Sequence, residues 1–556
     1  MTALPATNQP PPGTLPSPTH AVTNQAPALV GHDAFACDAA LRDAVAREDA
    51  GWAVPWLHAL GREVGDPQRV AQAEDANRHE PRLVAFDRFG HRIDEVDFHP
   101  AYHALMALAI GNGLHAAPWV EPRAGAHAAR AAGYLLFGQL ENGVQCPVTM
   151  TYASVPALRR DPALWRELAP RLLSREYDPR SAPLPDKRGM TVGMGMTEKQ
   201  GGSDVRSNTT RAEPDGDGWR ITGHKWFFSA PMCDAHLVLA QTASGLSCFH
   251  VPRWTPDGRR NAIRVQRLKD KLGNASNASS EVEFERAWGR LLGEEGRGIQ
   301  TILEMGTYTR LDCAIGSAGI LRAAVTHAIH HARGRRAFGA PLAQQPLMRA
   351  VLADLALESE AATVLAMHVA GAYDREDEGS VELRRLLTPA AKYWICKRLP
   401  AAVAECMEVL GGNGYVEDAP LARLFRESPL NSIWEGSGNV MCMDVLRAAG
   451  RTARTLPALW STLEAARGRD PTFDAAVARL QSEFRSMDAI EARARRVTQQ
   501  IAVLMQASLL LRHAPEEVAS AFCATRLAGD GWGAAFGASP AGLPVAALVE
   551  RALPVA

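Results

Sequence analysis

The chain has 556 residues, a formal net charge of −1 and 46% apolar residues. This length exceeds what one hydrophobic core usually covers, so several domains are expected. The balanced charge excludes a protein that binds nucleic acid over its whole surface, so any such contact must come from a local basic patch. None of the nine cysteines forms a C-x-x-C pair, so we predict no disulfide framework, no zinc site and no bound metal.

The start of the chain is predicted to be a disordered tail. Residues 1–30 are rich in Pro, Thr and Asn and lack the basic start and apolar core of a signal peptide. The longest apolar run, Ile501–Leu511, is too short to span a bilayer. We therefore expect a soluble cytoplasmic protein with no membrane partner.

The rest of the chain changes character at three points, which divide it into four predicted domains. Helical spacing of apolar residues predicts an N-terminal helical domain over residues 31–188. Gly, Thr and β-branched residues predict a middle β domain over residues 189–290. Helical periodicity then returns and predicts a four-helix bundle over residues 291–450 and a helical extension over residues 451–556. The fold class is therefore α+β, mostly helical with a central β domain.

Individual elements are predicted within these domains. Trp219–Phe228 indicates a β-hairpin, and Leu237–Thr242 and Leu246–Val251 indicate strands. Four stretches of the bundle are amphipathic and long enough for complete helices. They cover residues 299–333, 346–373, 383–410 and 440–454. No G-x-G-x-x-G follows a strand and opens a helix, which disfavours a Rossmann nucleotide site.

Four stretches carry residue types suited to binding a ligand. Met194–Asp204 combines hydroxyls with paired glycines, which suits a polar heterocycle or a phosphate, although a simple β-turn is the alternative. Gly223–Ser229 has three adjacent aromatics, of which we expect two in a core and one against a flat ring. Arg333–Gly339 lies at a helix end, where arginines either complement the helix dipole or grip a pyrophosphate. Val409–Tyr415 has three glycines, which stop a helix and leave room for a cofactor.

A fifth stretch, Asn431–Asn439, holds one carboxylate, Glu435, between Trp434 and a run of small residues. The apolar run that follows indicates a loop feeding a helix, with Ser437 or Asn439 as the cap. A carboxylate beside an aromatic ring and away from water is suited to accept a proton near neutral pH. An ordinary Glu in a turn is the alternative.

Together and in this order, the stretches resemble the acyl-CoA dehydrogenase superfamily over residues 189–448. Thr197–Asp204 is similar to its Thr-Glu-Pro-x-Ala-Gly-Ser-Asp loop, and Arg335–Gly339 to its Arg-x-x-Phe-Gly motif. Gly411–Tyr415 is similar to its Gly-Gly-x-Gly-Tyr, and Trp434–Ser437 to its aromatic-Glu-Gly-[Ser/Thr] catalytic loop. The resemblance implies an N-terminal helical domain, a middle β-barrel and a C-terminal helical bundle, with FAD as cofactor, an acyl-CoA thioester as substrate and assembly as a homotetramer.

The resemblance also implies roles for individual residues. Glu435 matches the superfamily's catalytic base, which takes the α-proton of the thioester while a hydride leaves Cβ for the flavin. Phe228 and Ser229 would lie against the flavin ring. The residues implied to contact FAD are Met194, Thr197, Gly202, Ser203, Phe228, Ser229, Ala230, Arg335, Phe338, Gly411, Gly412, Ile433, Trp434, Gly436, Ser437 and Asn439.

The C-terminal extension holds a second candidate binding surface. From Leu446 to Ala556 the chain has thirteen Arg, no Lys and ten Asp or Glu, so the signal lies in local clusters rather than in net charge. An arginine face neutralises phosphates without reading sequence, whereas a solvated face of ion pairs is the alternative. Arg447, Arg451 and Arg454 are spaced to lie on one helix face. The predicted DNA-binding residues are Arg447, Arg451, Arg454, Arg493, Arg496 and Arg512.

Within the superfamily, three stretches are similar to the flavoproteins of the bacterial adaptive response to DNA alkylation. They are Gly193–Asp204, Gly223–Ser229 and Asn431–Asn439. This likeness implies non-specific contact with double-stranded DNA and weak dehydrogenase activity on a short branched substrate such as isovaleryl-CoA. Two alternatives stay open. One is an ordinary acyl-CoA dehydrogenase of fatty or amino acid catabolism, whose extension makes only subunit contacts. The other is a flavin-bearing DNA-binding protein without turnover.

Overall fold

The computed structural model describes most of the chain as two compact units. The described residues are 19–485, 489–528, 535–540 and 542–554. One unit contains Met1–Pro67, His127–Leu140 and Cys313–Ala556, and the other contains Gln68–Ala126 and Glu141–Asp312. Of the predicted N-terminal tail, residues 1–18 lie outside the described part, and residues 19–30 contain no helix or strand.

The N-terminal part of the chain is mainly helical, with one β-hairpin that the sequence analysis did not predict. Its elements are α1 (Ala39–Arg47), α2 (Val54–Val64), α3 (Pro67–Arg78), β1 (Arg82–Phe86), β2 (Arg92–Asp97), α4 (Pro100–Gly111), α5 (Ala117–Val120), α6 (Ala126–Leu140), α7 (Gln145–Leu158) and α8 (Pro162–Leu172). The Asp87 carboxylate accepts hydrogen bonds from the N–H groups of Phe89 and His91, at 2.8 and 2.9 Å. This side-chain turn reverses the chain between β1 and β2.

The middle part is a seven-stranded sheet around an apolar core, and five of its strands close into a ring. They are β3 (Val192–Gly195), β4 (Arg211–Asp215), β5 (Gly218–Ser229), β6 (Ala235–Thr242), β7 (Gly245–Pro252), β8 (Ile263–Leu268) and β9 (Ser279–Leu292). The order is β3-β6-β4-β5-β9-β7, with β8 on β9, and pairing of β7 with β6 closes the ring. Strands β6 and β7 confirm the two predicted strands. Ile221, Phe249 and Val282 fill the interior with alternating inward side chains.

The predicted hairpin over Trp219–Phe228 is wrong, because this stretch is one continuous strand. It belongs to β5, which pairs with β4 antiparallel and in register from Arg211 opposite Thr222 to Asp215 opposite Gly218. The chain reverses between β4 and β5, at Gly216. This residue has a φ of 63°, which glycine adopts without strain. An Asp-Gly turn of this kind is typical of hairpins.

The C-terminal part is helical, and it has a helix at each of the four stretches predicted for the bundle. Its elements are α9 (Gly298–Gly334), β10 (Arg336–Ala337), β11 (Ala340–Pro341), α10 (Pro346–Gly371), α11 (Glu378–Leu410), α12 (Gly412–Tyr415), α13 (Pro420–Glu427), α14 (Gly438–Arg451), α15 (Thr455–Glu464), α16 (Pro471–Glu483), α17 (Ile490–His513), α18 (Glu516–Arg526) and α19 (Val545–Ala552). Helix α11 packs against α10, α14 and α17. It therefore links the bundle to the extension.

Ion pairs hold the extension on α10. Arg526, which is 8% exposed, pairs with Asp354 at 2.5 Å and with Glu358 at 3.1 Å. Arg551 pairs with Glu360 at 2.9 Å. A buried charge must find such a partner, so these contacts fix the extension to the bundle. In the described part of the chain, no helix has both the length and the apolar character needed to cross a membrane.

Candidate active site

The loop that follows β3 forms a tight turn with two hydroxyl side chains beside it. Glu198 N–H donates to the carbonyl oxygen of Gly201 at 3.3 Å, and Gly201 N–H donates to that of Glu198 at 3.0 Å. A Cβ atom on Gly202 would lie 2.3 Å from Thr197 Oγ1, so a side chain there would displace the Thr197 hydroxyl. Thr197 is half-buried and Ser203 is exposed. Both predicted FAD contacts therefore remain accessible to a ligand.

A buried ion pair anchors this loop to the β ring. Lys225 Nζ lies 2.8 Å from a carboxylate oxygen of Glu198, and both side chains are fully shielded from water. The carboxylate also accepts from the N–H groups of Thr209 and Thr210, at 2.7 and 3.1 Å. Burial opposes the charge on Glu198, but the ammonium and the hydrogen bonds outweigh it and lower its pKa to about 2. Burial lowers the pKa of Lys225 to about 8.

The three adjacent aromatics of β5 have different environments, and the ring predicted to face the flavin, Phe228, is fully buried. Phe228 is 0% exposed and stacks on His236, with ring centroids 4.1 Å apart, inside the strand ring. Its side chain is therefore unavailable to a ligand. Phe227 is 53% exposed and Trp226 is half-buried. The pairing of β5 with β9 shifts register between Lys225 and Phe228. Because of this shift, the side chains of Lys225 and Phe228 both point inward.

Three other predicted FAD contacts near β5, namely Met194, Ser229 and Ala230, also differ in exposure. Ala230 is 0% exposed, and its N–H donates to the carbonyl oxygen of Ala278 at 2.8 Å. Ala230, a predicted FAD contact, therefore has no exposed atom in this structure, because its atoms pack within the domain. Met194 is 8% exposed in β3, and Ser229 is half-buried at the end of β5.

The loop that carries Glu435 lies between a short 3₁₀ turn and α14. Glu435 is half-buried and has a left-handed φ of 58°, and the next residue, Gly436, has a φ of 102°. Trp434 Nε1 donates to Asn431 Oδ1 at 2.8 Å and holds the loop from the N-terminal side. Ser437 occupies the N-cap position as predicted, but its side chain makes no capping bond.

Four other predicted FAD contacts follow the ends of the long helices α11 and α9. Gly411 ends α11 with a φ of 63°, and Gly412, also exposed, begins α12. After α9, the Arg335 guanidinium donates to the carbonyl oxygen of Asn24 at 2.5 Å. Phe338 follows at the β10–β11 turn and is 97% exposed. A phenyl ring this exposed is suited to contact a ligand or a second chain.

Ile433 and Asn439 flank Glu435 on the same loop. Ile433 is 63% exposed, which is consistent with a ligand or partner contact. Asn439 lies inside α14, where its Oδ1 accepts from Arg495 Nε at 2.8 Å. This hydrogen bond joins the start of α14 to α17, so Asn439 has a structural partner in addition to any predicted contact with FAD.

The predicted DNA-binding arginines divide into engaged and available side chains. Arg493 and Arg496 both pair with Glu483, and Arg454 pairs with Glu378. The prediction that Arg454 shares a helix face with Arg447 and Arg451 is wrong, because α14 ends at Arg451. Within the described residues, no ion pair or hydrogen bond involves the side chains of Arg447, Arg451 or Arg512.

Comparison with known proteins decides the family. Residues 24–179 match the family described as the adaptive response protein AidB N-terminal domain. Residues 193–287 and 296–450 match the middle and C-terminal domains of acyl-CoA dehydrogenases. AidB of Escherichia coli is 50% identical over 513 residues, which cover 92% of this chain and 94% of AidB. The chain belongs to the acyl-CoA dehydrogenase family. It is an FAD-dependent oxidoreductase of the AidB-like branch.

Two further relatives extend the comparison. Acyl-CoA dehydrogenase family member 11 of Caenorhabditis elegans is 31% identical over 427 residues, covering 72% of this chain and 67% of that protein. The crystal structure of ACDH-11 from the same organism, in complex with C11-CoA, superposes with a TM-score of 0.84. It is 26% identical and covers 92% of this chain and 94% of that one. These likenesses confirm the acyl-CoA dehydrogenase fold predicted from the sequence.

The accessible residues of the family's motifs fit an FAD cofactor. In one unit, the hydroxyls of Thr197 and Ser203 and the exposed ring of Phe227 suit a polar, flat heterocycle. In the other unit, the Arg335 guanidinium suits a phosphate. Phe227, the Glu198–Lys225 pair and the buried Lys392 of α11 were not predicted from the sequence. A lone charged residue beside apolar neighbours is the sequence signal that marks Lys225 and Lys392.

Proposed function

We propose that the protein catalyses the α,β-dehydrogenation of an acyl-CoA thioester, with Glu435 as the base. The observation that carries this proposal is the half-buried Glu435 carboxylate, held on a constrained loop beside Trp434. Bound FAD supplies the acceptor for the hydride that leaves Cβ. The protein supplies the proton acceptor and the orientation of the substrate.

The role of Glu435 follows from proton chemistry. The α-proton of a thioester is a weak acid, so a carboxylate removes it only when it is held in reach and when the developing enolate charge is stabilised. Half-burial of Glu435 limits its contact with water, and the left-handed backbone at this residue gives the side chain a defined direction. In the proposed step, the Cα–H bond breaks, the proton goes to the Glu435 carboxylate, and the product is a 2-enoyl-CoA.

The proposed substrate is a short branched acyl-CoA such as isovaleryl-CoA. The structure of ACDH-11 with C11-CoA supports an acyl-CoA thioester as the substrate class. The test is turnover of isovaleryl-CoA, a straight short acyl-CoA and C11-CoA with an artificial electron acceptor. Glu435→Gln should abolish turnover of whichever substrate reacts. Turnover that is unchanged in this variant would remove Glu435 from the mechanism.

We also propose that the protein binds double-stranded DNA without sequence preference, as part of the response to alkylation damage. Support comes from Arg447 and Arg451 on the exposed face of α14 and from Arg512, together with the likeness to AidB. Guanidinium groups on a surface neutralise phosphates by displacing counterions, so binding should weaken linearly in log salt. A duplex titration at several salt concentrations tests this role, and the absence of binding at low salt would exclude it.

One observation favours the alternative of an ordinary dehydrogenase without a DNA role. Several arginines of the extension already satisfy partners within the same unit, as Arg526 does with Asp354 and Arg551 with Glu360. In that case the extension only stabilises the bundle. Turnover without any duplex binding would support this alternative, and duplex binding without turnover would support a flavin-bearing DNA-binding protein.

Assembly as a homotetramer and a cytoplasmic location complete the proposal. Large apolar side chains are exposed on the bundle unit: Phe338 at 97%, Leu347 at 85% and Tyr415 at 81%. Exposed aromatic and aliphatic side chains of this kind are typical of surfaces that a second chain covers. Light scattering during size exclusion measures the mass in solution, and a monomer at micromolar concentration would exclude the tetramer.

A further inference from the structure

Lys392 is a buried cation in an apolar stretch of α11. Its residue exposure is 1%, and its sequence neighbours Ala391 and Tyr393 are buried as well. Removing an ammonium group from water costs several kcal/mol unless hydrogen bonds compensate. A neutral side chain would fill the same space at a lower desolvation cost. The acceptor that binds the Lys392 ammonium therefore indicates what the charge is used for.

That acceptor belongs to the loop of the proposed catalytic base. Lys392 Nζ donates to the carbonyl oxygen of Gly436 at 2.7 Å. A hydrogen bond from an ionised donor is roughly twice as strong as a neutral one. Gly436 directly follows Glu435 in the chain, so this bond fixes the backbone one residue beyond the carboxylate.

The backbone at this point needs support. Glu435 and Gly436 both have positive φ values, 58° and 102°. For a residue with a Cβ atom, a left-handed conformation costs about 1–2 kcal/mol, and it persists only where the surroundings impose it. A side chain on Gly436 would meet Met441 at 2.7 Å, so the loop is also closely packed.

The loop has a second anchor on its N-terminal side. Trp434 Nε1 donates to Asn431 Oδ1, and Asn431 Nδ2 donates to Ser317 Oγ at 3.0 Å. Ser317 lies in α9, whereas Lys392 lies in α11. Glu435 is therefore held between two hydrogen-bonded anchors, one from each long helix.

We propose that Lys392 is a positioning residue that holds Glu435 in its reactive conformation through the Gly436 carbonyl. The proposal rests on the role of Glu435 put forward above. Lys392 does not touch the reacting atoms in this account. It keeps the loop in the left-handed conformation, and removing its donor lets the carboxylate leave the geometry needed for proton transfer.

The test compares FAD-loaded wild type with Lys392→Met and Lys392→Arg. Methionine has nearly the same length but neither charge nor donor, so we expect kcat to fall about 10- to 100-fold while KM stays within about threefold. Arginine keeps a cationic donor and should recover most of the lost kcat. An unchanged kcat in Lys392→Met, or an equal loss in Lys392→Arg and Lys392→Met, overturns the proposal.

Hydrogen exchange gives a readout that does not require turnover. In Lys392→Met, amides of residues 433–438 should exchange at least about fivefold faster than in wild type, because local opening becomes easier. Unchanged exchange there overturns the proposal even if the dehydrogenase role fails. If Lys392→Met does not fold, Lys392→Gln replaces it, with the same expectations, since the shorter neutral amide does not reach Gly436.

Lys187→Met is the matched control for loss of a buried lysine. The Lys187 side chain is 2% exposed, and its Nζ donates to the carbonyl oxygen of Asp178 at 2.6 Å, far along the chain from the Glu435 loop. We expect this variant to lose stability but to keep the exchange rates of residues 433–438. Faster exchange of these residues in Lys187→Met as well would assign the Lys392→Met effect to general destabilisation and overturn the proposal.

Discussion

Glu198 and Lys225 form an ion pair of 2.8 Å between two side chains that no water reaches. Lys225 lies in β5, and its Nζ also donates to the carbonyl oxygen of Leu239 in β6 at 2.8 Å. The pair therefore joins the Thr197–Asp204 loop to two strands of the ring. A loop that must present hydroxyls to a cofactor gains a fixed position from this single buried contact.

Removing one charge of the Glu198–Lys225 pair should lower the free energy of unfolding more than removing both charges. Lys225→Met leaves a buried carboxylate without its cation, and we expect a loss of about 3–5 kcal/mol in the free energy of unfolding. The double variant Lys225→Met with Glu198→Gln should lose less than the sum of the two single variants. Denaturant unfolding of the wild type and the three variants measures this coupling. Strict additivity would show that the two side chains do not interact.

Acid should weaken the contribution of Glu198 to stability. Its folded pKa, about 2, lies below its ordinary value of 4.5. Its stabilising effect is therefore fully present above pH 4.5 and is lost as the pH falls toward 2, and it amounts to about 3 kcal/mol. The stability difference between wild type and Glu198→Gln should narrow as the pH falls from 5 to 3. A constant difference across this range would contradict the lowered pKa.

Phe227 and Phe228 should respond in opposite ways to truncation. Phe228→Ala removes a fully buried ring from the core and should cost about 3–5 kcal/mol of unfolding free energy. Phe227→Ala removes a half-exposed ring, so its stability cost should be below about 1 kcal/mol. Its FAD affinity, however, should fall about fivefold if the ring covers the cofactor. Denaturant unfolding and flavin fluorescence titration measure the two effects. Normal stability with weakened FAD binding in Phe228→Ala would reverse the assignment.

The long elements of this protein were predictable because their signals are repetitive. Helical periodicity over more than twenty residues identified α9, α10 and α11, and short runs rich in apolar and β-branched residues identified β6 and β7. The fold could be predicted because five motifs occur in one order. The same motifs are the basis on which Thr197, Ser203 and Glu435 are predicted as site residues.

The remaining features depend on contacts that sequence spacing does not encode. In a regular strand, residues an odd number of positions apart lie on opposite faces. The register shift between Lys225 and Phe228 instead places these two side chains on the same face. The buried lysines pair with groups far away in the chain, so no local pattern predicts their partners. Arg454 was placed on α14 because the arginine spacing continued, although the helix ends at Arg451.

Removing the two available arginines of α14 should weaken duplex binding and its salt dependence together. Arg447→Ala with Arg451→Ala should reduce the slope of log affinity against log salt by about 2, since each lost phosphate contact releases about 0.9 fewer counterions. The control, Arg467→Ala with Arg259→Ala, removes the same charge from exposed arginines that face Glu464 and Asp257. An equal change of slope in the control would show that net charge, and not this helix face, governs binding.

The most direct test of the account is anaerobic mixing of the FAD-loaded protein with an acyl-CoA while the visible absorbance of the flavin is recorded. Wild type should bleach as the flavin is reduced. Glu435→Gln should bind the same acyl-CoA but bleach at least about 100-fold more slowly, because the proton acceptor is gone. If no acyl-CoA bleaches the wild type, or if Glu435→Gln bleaches at the wild-type rate, the proposed role of Glu435 is contradicted.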